Sequence, residues 1–260
     1  MKRIIAVLLA VSMLIGLTGL LSGCAEKKGD TFTVGFDAAF PPYGYQDEAG
    51  EYVGFDLDLA AEVCARNGWE LVKQPIDWDS KDMEIDSGTI DCIWNGFTIN
   101  GRENDYTWSV PYVDNSQVFV VSNAAGINDV AGLAGKKIGV QAASSALDAL
   151  NDPDYATTKA TFAAVTEFPD YNTAFMNLEA GAVDAIAMDV GVAKFQLESR
   201  LPFKMLAEPL ATEQYGVGFK KGNTELKDKV EKTLQEMATD GKFAEIAEKW
   251  DLTDSICLGK

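Results

Sequence analysis

The residues of this chain that could do chemistry are short polar groups placed where buried strands stop. Asp37 follows the alternating run Phe32–Phe36. Asn95 and Gly96, then Thr98, follow the apolar run Ile90–Trp94. Ser144 and Ser145 follow Lys136–Gln141, and Asp189 closes Ala185–Met188. Each alone reads as a turn former or helix N-cap, because Asp, Asn and Ser are favoured there. As a set they do more. In open α/β sheets ligands bind beyond the carboxyl ends of the strands. Two lobes facing each other through those ends would bring all four groups to one cleft. The chemistry of such a cleft is hydrogen-bonded recognition. The sequence contains no histidine, so the usual general base, the commonest metal ligand and every Ser-His-Asp or Cys-His arrangement are missing.

The elements that must position these groups are legible as αβ units. Ser87-Gly88-Thr89-Ile90-Asp91-Cys92-Ile93 and Ala180-Gly181-Ala182-Val183-Asp184-Ala185-Ile186 share one pattern: small residue, Gly, any residue, β-branched residue, Asp, small residue, Ile. In each, the glycine suits a helix C-cap and the apolar run after it a short buried strand. Two such units suggest two lobes built alike. Strands are also expected over 32–37, 117–122 and 136–141, and helices over 57–67 and 171–178. The C-terminal region 226–250 has apolar residues at 226, 230, 234 and 237 before Gly241 and at 243, 246, 247 and 250 after it, a helical stripe. Alternating strands and helices imply mostly parallel sheets.

Composition narrows the function. Forty acidic against 22 basic residues give a formal net charge of −18. A nucleic-acid binder must displace counterions with basic groups, so no nucleic-acid partner is expected. Residues 1–23 read as a secretory signal peptide, with Lys2 and Arg3 ahead of an apolar run from Ile4 to Leu21. Leu21-Ser22-Gly23-Cys24 resembles a bacterial lipobox, which implies lipidation at Cys24, a tether over 24–31 and an extracytoplasmic, membrane-anchored location. The other cysteines, Cys64, Cys92 and Cys257, are odd in number and lack CxxC spacing, so neither a disulfide framework nor a metal site is expected.

Phe40-Pro41-Pro42-Tyr43-Gly44-Tyr45, Gly54-Phe55-Asp56-Leu57-Asp58-Leu59, Ile90–Ile99 and Trp108-Ser109-Val110-Pro111-Tyr112 occur in an order that resembles the polar amino-acid-binding proteins of bacterial ABC importers (family 3 solute-binding proteins). The resemblance spans about residues 32–250. It implies a two-lobed, type II periplasmic-binding-protein-like α/β fold with two hinge strands. Lobe 1 would be 30–113 plus 212–260, and lobe 2 would be 114–211. It implies a monomeric, cofactor-free receptor that takes a free amino acid to permease and ATPase subunits, and no catalytic residue. Arg102 would hold the ligand carboxylate, helped by N–H groups at the start of the helix after Gln141 and by the Ser145 and Thr98 hydroxyls. Asp189, the Gly96 carbonyl and Thr98 would take the ammonium. Ser144 is a further ligand candidate. Asp37, Phe40, Trp78 and Asn95 would form the side-chain pocket, suited to arginine, lysine, ornithine or glutamine; no second cation is evident to suit an acidic ligand. Two departures stand out: Thr98-Ile99-Asn100-Gly101-Arg102 is one residue shorter than the family pattern, and Ala142-Ala143-Ser144-Ser145 replaces its usual glycine and threonine. A dehydratase of cyclic acids and a sensory ligand-binding protein are the alternatives on the same fold. The dehydratase needs a general acid in the cleft, for which Glu62, Glu84 and Asp114 are available.

Overall fold

In a computed structural model of the protein, residues 30–259 are described. The signal segment, Cys24 and all of the tether before Asp30 lie outside them. The first elements follow the sequence pattern closely. Strand β1 (Thr31–Phe36) is succeeded by β2 (Ala39–Phe40), β3 (Gly44–Gln46) and β4 (Tyr52–Val53). Helix α1 (Phe55–Asn67) turns Phe55, Leu57, Leu59, Ala60 and Val63 inward and ends at Gly68, whose left-handed φ of 70° lets its N–H close on the Cys64 carbonyl. Next come β5 (Glu70–Pro75), α2 (Lys81–Ser87), β6 (Cys92–Ile93), β7 (Thr107–Trp108) and the ten-residue β8 (Val113–Ser122).

The chain continues through β9 (Lys137–Gln141), α3 (Ser145–Asn151), α4 (Ala156–Lys159), β10 (Ala164–Phe168), α5 (Tyr171–Glu179), β11 (Ala185–Asp189), α6 (Val190–Glu198) and β12 (Phe203–Met205). It returns in β13 (Ala211–Tyr215) and β14 (Gly218–Phe219), and ends in α7 (Thr224–Asp240) and α8 (Lys242–Lys249). Gly241, at φ 87°, makes the turn between these last two helices.

Two main sheets organise these elements, in the orders β5-β1-β6-β14-β7 and β10-β9-β11-β8-β12, with β13 paired to β8. The expectation of mostly parallel sheets needs correcting. β5-β1-β6 and β10-β9-β11 are parallel, but β14, β7, β8, β12 and β13 join antiparallel. The reason is topological. A βαβ crossover returns the chain in the same direction, whereas β8 and β13 carry it from one sheet to the other and back. They run side by side, Val113 opposite Tyr215 and Gln117 opposite Ala211. At their first-sheet end Val113 bridges to Ile256 and Tyr215 to Thr98.

Strand alternation splits the core between sheet faces. Along β8, Val118 and Val120 join one apolar cluster while Phe119 and Val121 join another, and along β11 Ile186 and Met188 part from Ala185 and Ala187 in the same way. Cys64 and Cys92 are buried in the larger cluster as small apolar side chains, as their positions in periodic segments suggest. No helix among the described residues is long and apolar enough to cross a membrane.

Candidate ligand-binding site

The strand ends do converge. Between the two sheets lies a narrow cavity of about 10 Å³. Phe40, Trp78, Gly96, Thr98 and Arg102 line it from the first-sheet side. Gln141, Ser144, Ser145 and Asp189 line it from the second. Gln141 was not singled out from the sequence, where it reads as the last residue of an apolar strand. Asn95 does not reach the cavity: it is 1% exposed, and its Oδ1 accepts the Asp37 backbone N–H at 2.9 Å. Asn95 sits in a bend just past β6, and this hydrogen bond holds it behind Asp37.

Asp37 stands beside the cavity. Its carboxylate accepts the Ala39 N–H at 2.8 Å and the Gln141 side-chain amide at 2.7 Å. Burial, with Asp170 and Asp77 adding to it, pushes its pKa up to about 6, against those two hydrogen bonds. Asp37 also borders a hollow of about 630 Å³, open to solvent, that shares Trp78 with the cavity. The charged residues lining it are all acidic: Asp37, Asp77, Asp79, Glu84 and Asp170. Of the other acids considered, Glu62 pairs with Arg66 and Asp114 is exposed.

On the other flank the charges turn positive. Gly101, at φ 81°, absorbs the shortened loop and brings Arg102 over the Phe97 ring, 5.5 Å from its centroid. Arg102 Nη2 donates to Asp148 on α3 at 2.6 Å and to the Ala143 carbonyl at 3.4 Å. The guanidinium is therefore tied to a surface carboxylate rather than standing free, and both of these contacts fall on one nitrogen. Beside it stands Lys81, a second cation that the sequence did not reveal. It is 4% exposed, its Nζ is 3.3 Å from the Ala143 carbonyl, and it sits 5.3 Å from the centre of the Trp78 ring. Burial, then Arg102, lowers its pKa. Ala143, which receives both cations, has a left-handed φ of 53°, a strained conformation for a residue with a Cβ.

Ser144 is the N-cap of α3. Its hydroxyl donates to the Gln141 carbonyl at 2.7 Å and accepts the Leu147 N–H at 3.2 Å. That commitment makes Ser144 a structural cap that faces the cavity rather than a free ligand donor. Ser145 and Thr98 belong to a different network. Asp189 Oδ1 accepts from Asn115 at 2.9 Å, Gln117 at 2.8 Å and the Tyr215 hydroxyl. Burial, then Glu213, pushes the Asp189 pKa upward. Glu213 itself lay outside the sequence reading, since an acid in a turn-rich segment carries no signal of burial. It is 7% exposed, on β13 opposite Asn115 of β8.

Gly96 is held from behind. Its N–H donates to the carboxylate of Asp56 at 2.6 Å, and the Tyr112 hydroxyl donates to the same carboxylate at 2.9 Å. Asp56 is fully buried, and burial raises its pKa to about 7. A Cβ on Gly96, which has φ 55°, would lie 2.8 Å from the Phe40 ring, so only glycine fits. Asp56 thus links the Gly54–Leu59 motif to the cavity wall.

The match to known proteins covers this whole arrangement. Residues 32–253 match the family model of bacterial extracellular solute-binding proteins, family 3. The L-cystine-binding protein TcyJ of Escherichia coli strain K12 is 27% identical, over 93% of this chain and 92% of that protein. The ABC transporter glutamine-binding protein GlnH of Bacillus subtilis is 29% identical, over 87% of this chain and 83% of that protein. A histidine-bound substrate-binding protein of an ABC uptake transporter from Streptococcus pneumoniae superposes with a TM-score of 0.81 at 34% identity, covering 85% of this chain and 92% of that one. The two-sheet fold is therefore the type II periplasmic-binding-protein fold, and its relatives are amino-acid-binding proteins of ABC transporters. The chain belongs to the bacterial extracellular solute-binding proteins, family 3.

Proposed function

We propose that this protein is the substrate-binding lipoprotein of an ABC importer, that it captures a polar amino acid with a basic or amide side chain, and that it hands the ligand to a permease. One observation carries the reading: the cavity is charged in three directions. Asp189 and the acceptor Thr98 stand at one end, Arg102 at the second, with Lys81 outside the cavity on the same Ala143 carbonyl, and the all-acidic hollow beyond Trp78 at the third. An α-ammonium, an α-carboxylate and a cationic or amide side chain answer these in turn. A guanidinium suits a carboxylate because it offers paired donors in one plane, and the Trp78 and Phe40 rings favour a cation passing beside them. An acidic side chain would meet five carboxylates.

In this reading the lobes are 30–113 plus 212–260 and 114–211, and they close about β8 and β13 by hinge motion. The Asp37–Gln141 and Arg102–Asp148 bonds then link the two lobes. Signal cleavage before Cys24 and lipidation of its thiol would hold a monomer at the outer face of the membrane. The protein works by binding, without catalysis.

The test is a melting panel on residues 25–260, unfolded and refolded to strip carried ligand, with the twenty amino acids plus ornithine, citrulline and cystine. A ligand at about 100 times its Kd adds about 2.7 kcal/mol of stability. A clear shift with arginine, lysine, ornithine or glutamine is the expected result. A shift with glutamate or aspartate alone refutes the side-chain assignment, and no shift with any of them refutes the receptor reading.

A further inference from the structure

Behind the cavity wall the two carboxylates Asp189 and Glu213 share their donors. Asn115 Nδ2 lies 2.9 Å from Asp189 Oδ1 and 2.7 Å from Glu213 Oε1, and Gln117 Nε2 lies 2.8 Å from each. Neither amide can be turned over, because that would set its oxygen against two carboxylate oxygens. The carbonyl oxygens of both amides are buried without a donor among the described residues, which agrees with the nitrogens being the ends in use.

Two cavity hydroxyls complete the network. Thr98 Oγ1 donates to Glu213 Oε1 at 2.9 Å. Ser145 Oγ donates to the same oxygen at 3.3 Å and lies 2.9 Å from Gln117 Nε2, whose two hydrogens are shared among this hydroxyl and the two carboxylates. A hydroxyl has a single O–H. Once that hydrogen is spent on Glu213, the lone pairs left on the oxygen can only accept.

We infer that Glu213 is a positioning residue for specificity: by taking the O–H groups of Thr98 and Ser145 it turns both hydroxyls into acceptors, and so makes this end of the cavity select a primary ammonium. The inference rests on the amino-acid-binding reading and deepens it. It also reassigns the two hydroxyls, which the family resemblance offered in part to the ligand carboxylate. With Asp189 at the same wall, the cavity presents two buried carboxyl groups and acceptor oxygens to a ligand that must supply the positive charge and the donors. A carboxylate there would meet lone pairs only.

Glu213→Gln tests this, because it removes the negative charge that holds the Thr98 and Ser145 hydrogens and leaves them only a neutral amide oxygen, a weaker acceptor. The probes are L-arginine and L-glutamine, and their analogues without the α-ammonium, 5-guanidinopentanoate and glutaramate. Calorimetry gives, for wild type and variant, the ratio of affinities between each amino acid and its analogue. A charge-assisted hydrogen bond is worth on the order of ten- to a hundredfold in affinity. The ratio should therefore fall by about tenfold or more in Glu213→Gln, chiefly through weaker binding of the amino acid. A merely structural role would weaken both probes alike, and an unchanged ratio overturns the inference. If Glu213→Gln does not melt cooperatively, Thr98→Val decides: a similar fall in the ratio supports the inference and an unchanged ratio overturns it. Wild type that binds none of the four probes overturns the amino-acid reading, and this inference with it. Wild type that binds amino acid and analogue equally overturns this inference alone.

Discussion

Asp56→Ala should destabilise the protein by about 2–4 kcal/mol at pH 7. The carboxylate is fully buried and accepts the Gly96 N–H at 2.6 Å and the Tyr112 hydroxyl at 2.9 Å. Alanine orphans both donors, and each buried orphan costs about 1–3 kcal/mol. Against that, the burial that drives Asp56 up to about 7 is itself unfavourable to the charged form, and alanine relieves it. Asp56→Asn should be milder, since its amide oxygen can keep the Gly96 N–H and its nitrogen can donate to the Tyr112 oxygen. The pH dependence separates the two effects. The native carboxyl holds its proton to about pH 7, and the unfolded one releases it near 3.8. Between those values the native state binds more protons, so wild-type stability falls as pH rises across that window and levels off above it. The full leg is worth roughly 4 kcal/mol. Asp56→Asn lacks this leg and keeps only the smaller one from Asp37, raised to about 6, and that of Asp189. Urea unfolding of residues 25–260 without amino acid, at pH 5, 7 and 8.5, measures all three proteins. An alanine variant within about 0.5 kcal/mol of wild type at pH 7, or an asparagine variant with an unchanged pH slope, would refute the reasoning.

Three further outcomes are expected. Arg102→Ala should weaken amino-acid binding by about 2–5 kcal/mol, the range for removing one side of a buried charge pair, with little change in melting temperature because the Asp148 partner is exposed; calorimetry beside a melting curve reads both. Gly191→Ala puts a Cβ about 2.4 Å from the Tyr43 hydroxyl, so a contact between the two halves cannot form as it stands; affinity should drop while urea m-values stay near wild type. Ala143→Gly relieves the left-handed backbone before α3 and should stabilise the ligand-free protein by about 1 kcal/mol, visible as a higher urea midpoint.

What the sequence determined by itself was the set of local elements and the polar groups at their ends. Periodicity 2 and 3.6, glycine at helix ends and Asp, Asn or Ser after strands are rules of one to four residues, so β1, α1, β9, α5, β11 and the paired C-terminal helices were legible. Eight of the ten expected ligand residues line one cavity, with Asp37 beside it and Asn95 behind it. What only the tertiary structure decided was polarity and partnership. Nothing local tells that Asp56 is buried under Gly96, that Glu213 takes the hydrogens of Thr98 and Ser145, or that Lys81 folds in beside Arg102. Those contacts join residues some 40 to 115 positions apart. Whether a hydroxyl donates or accepts, and whether a carboxyl is charged, depends on which neighbours the closed chain brings to it; that information is in the packing of two lobes, not in the spacing of residues along either one.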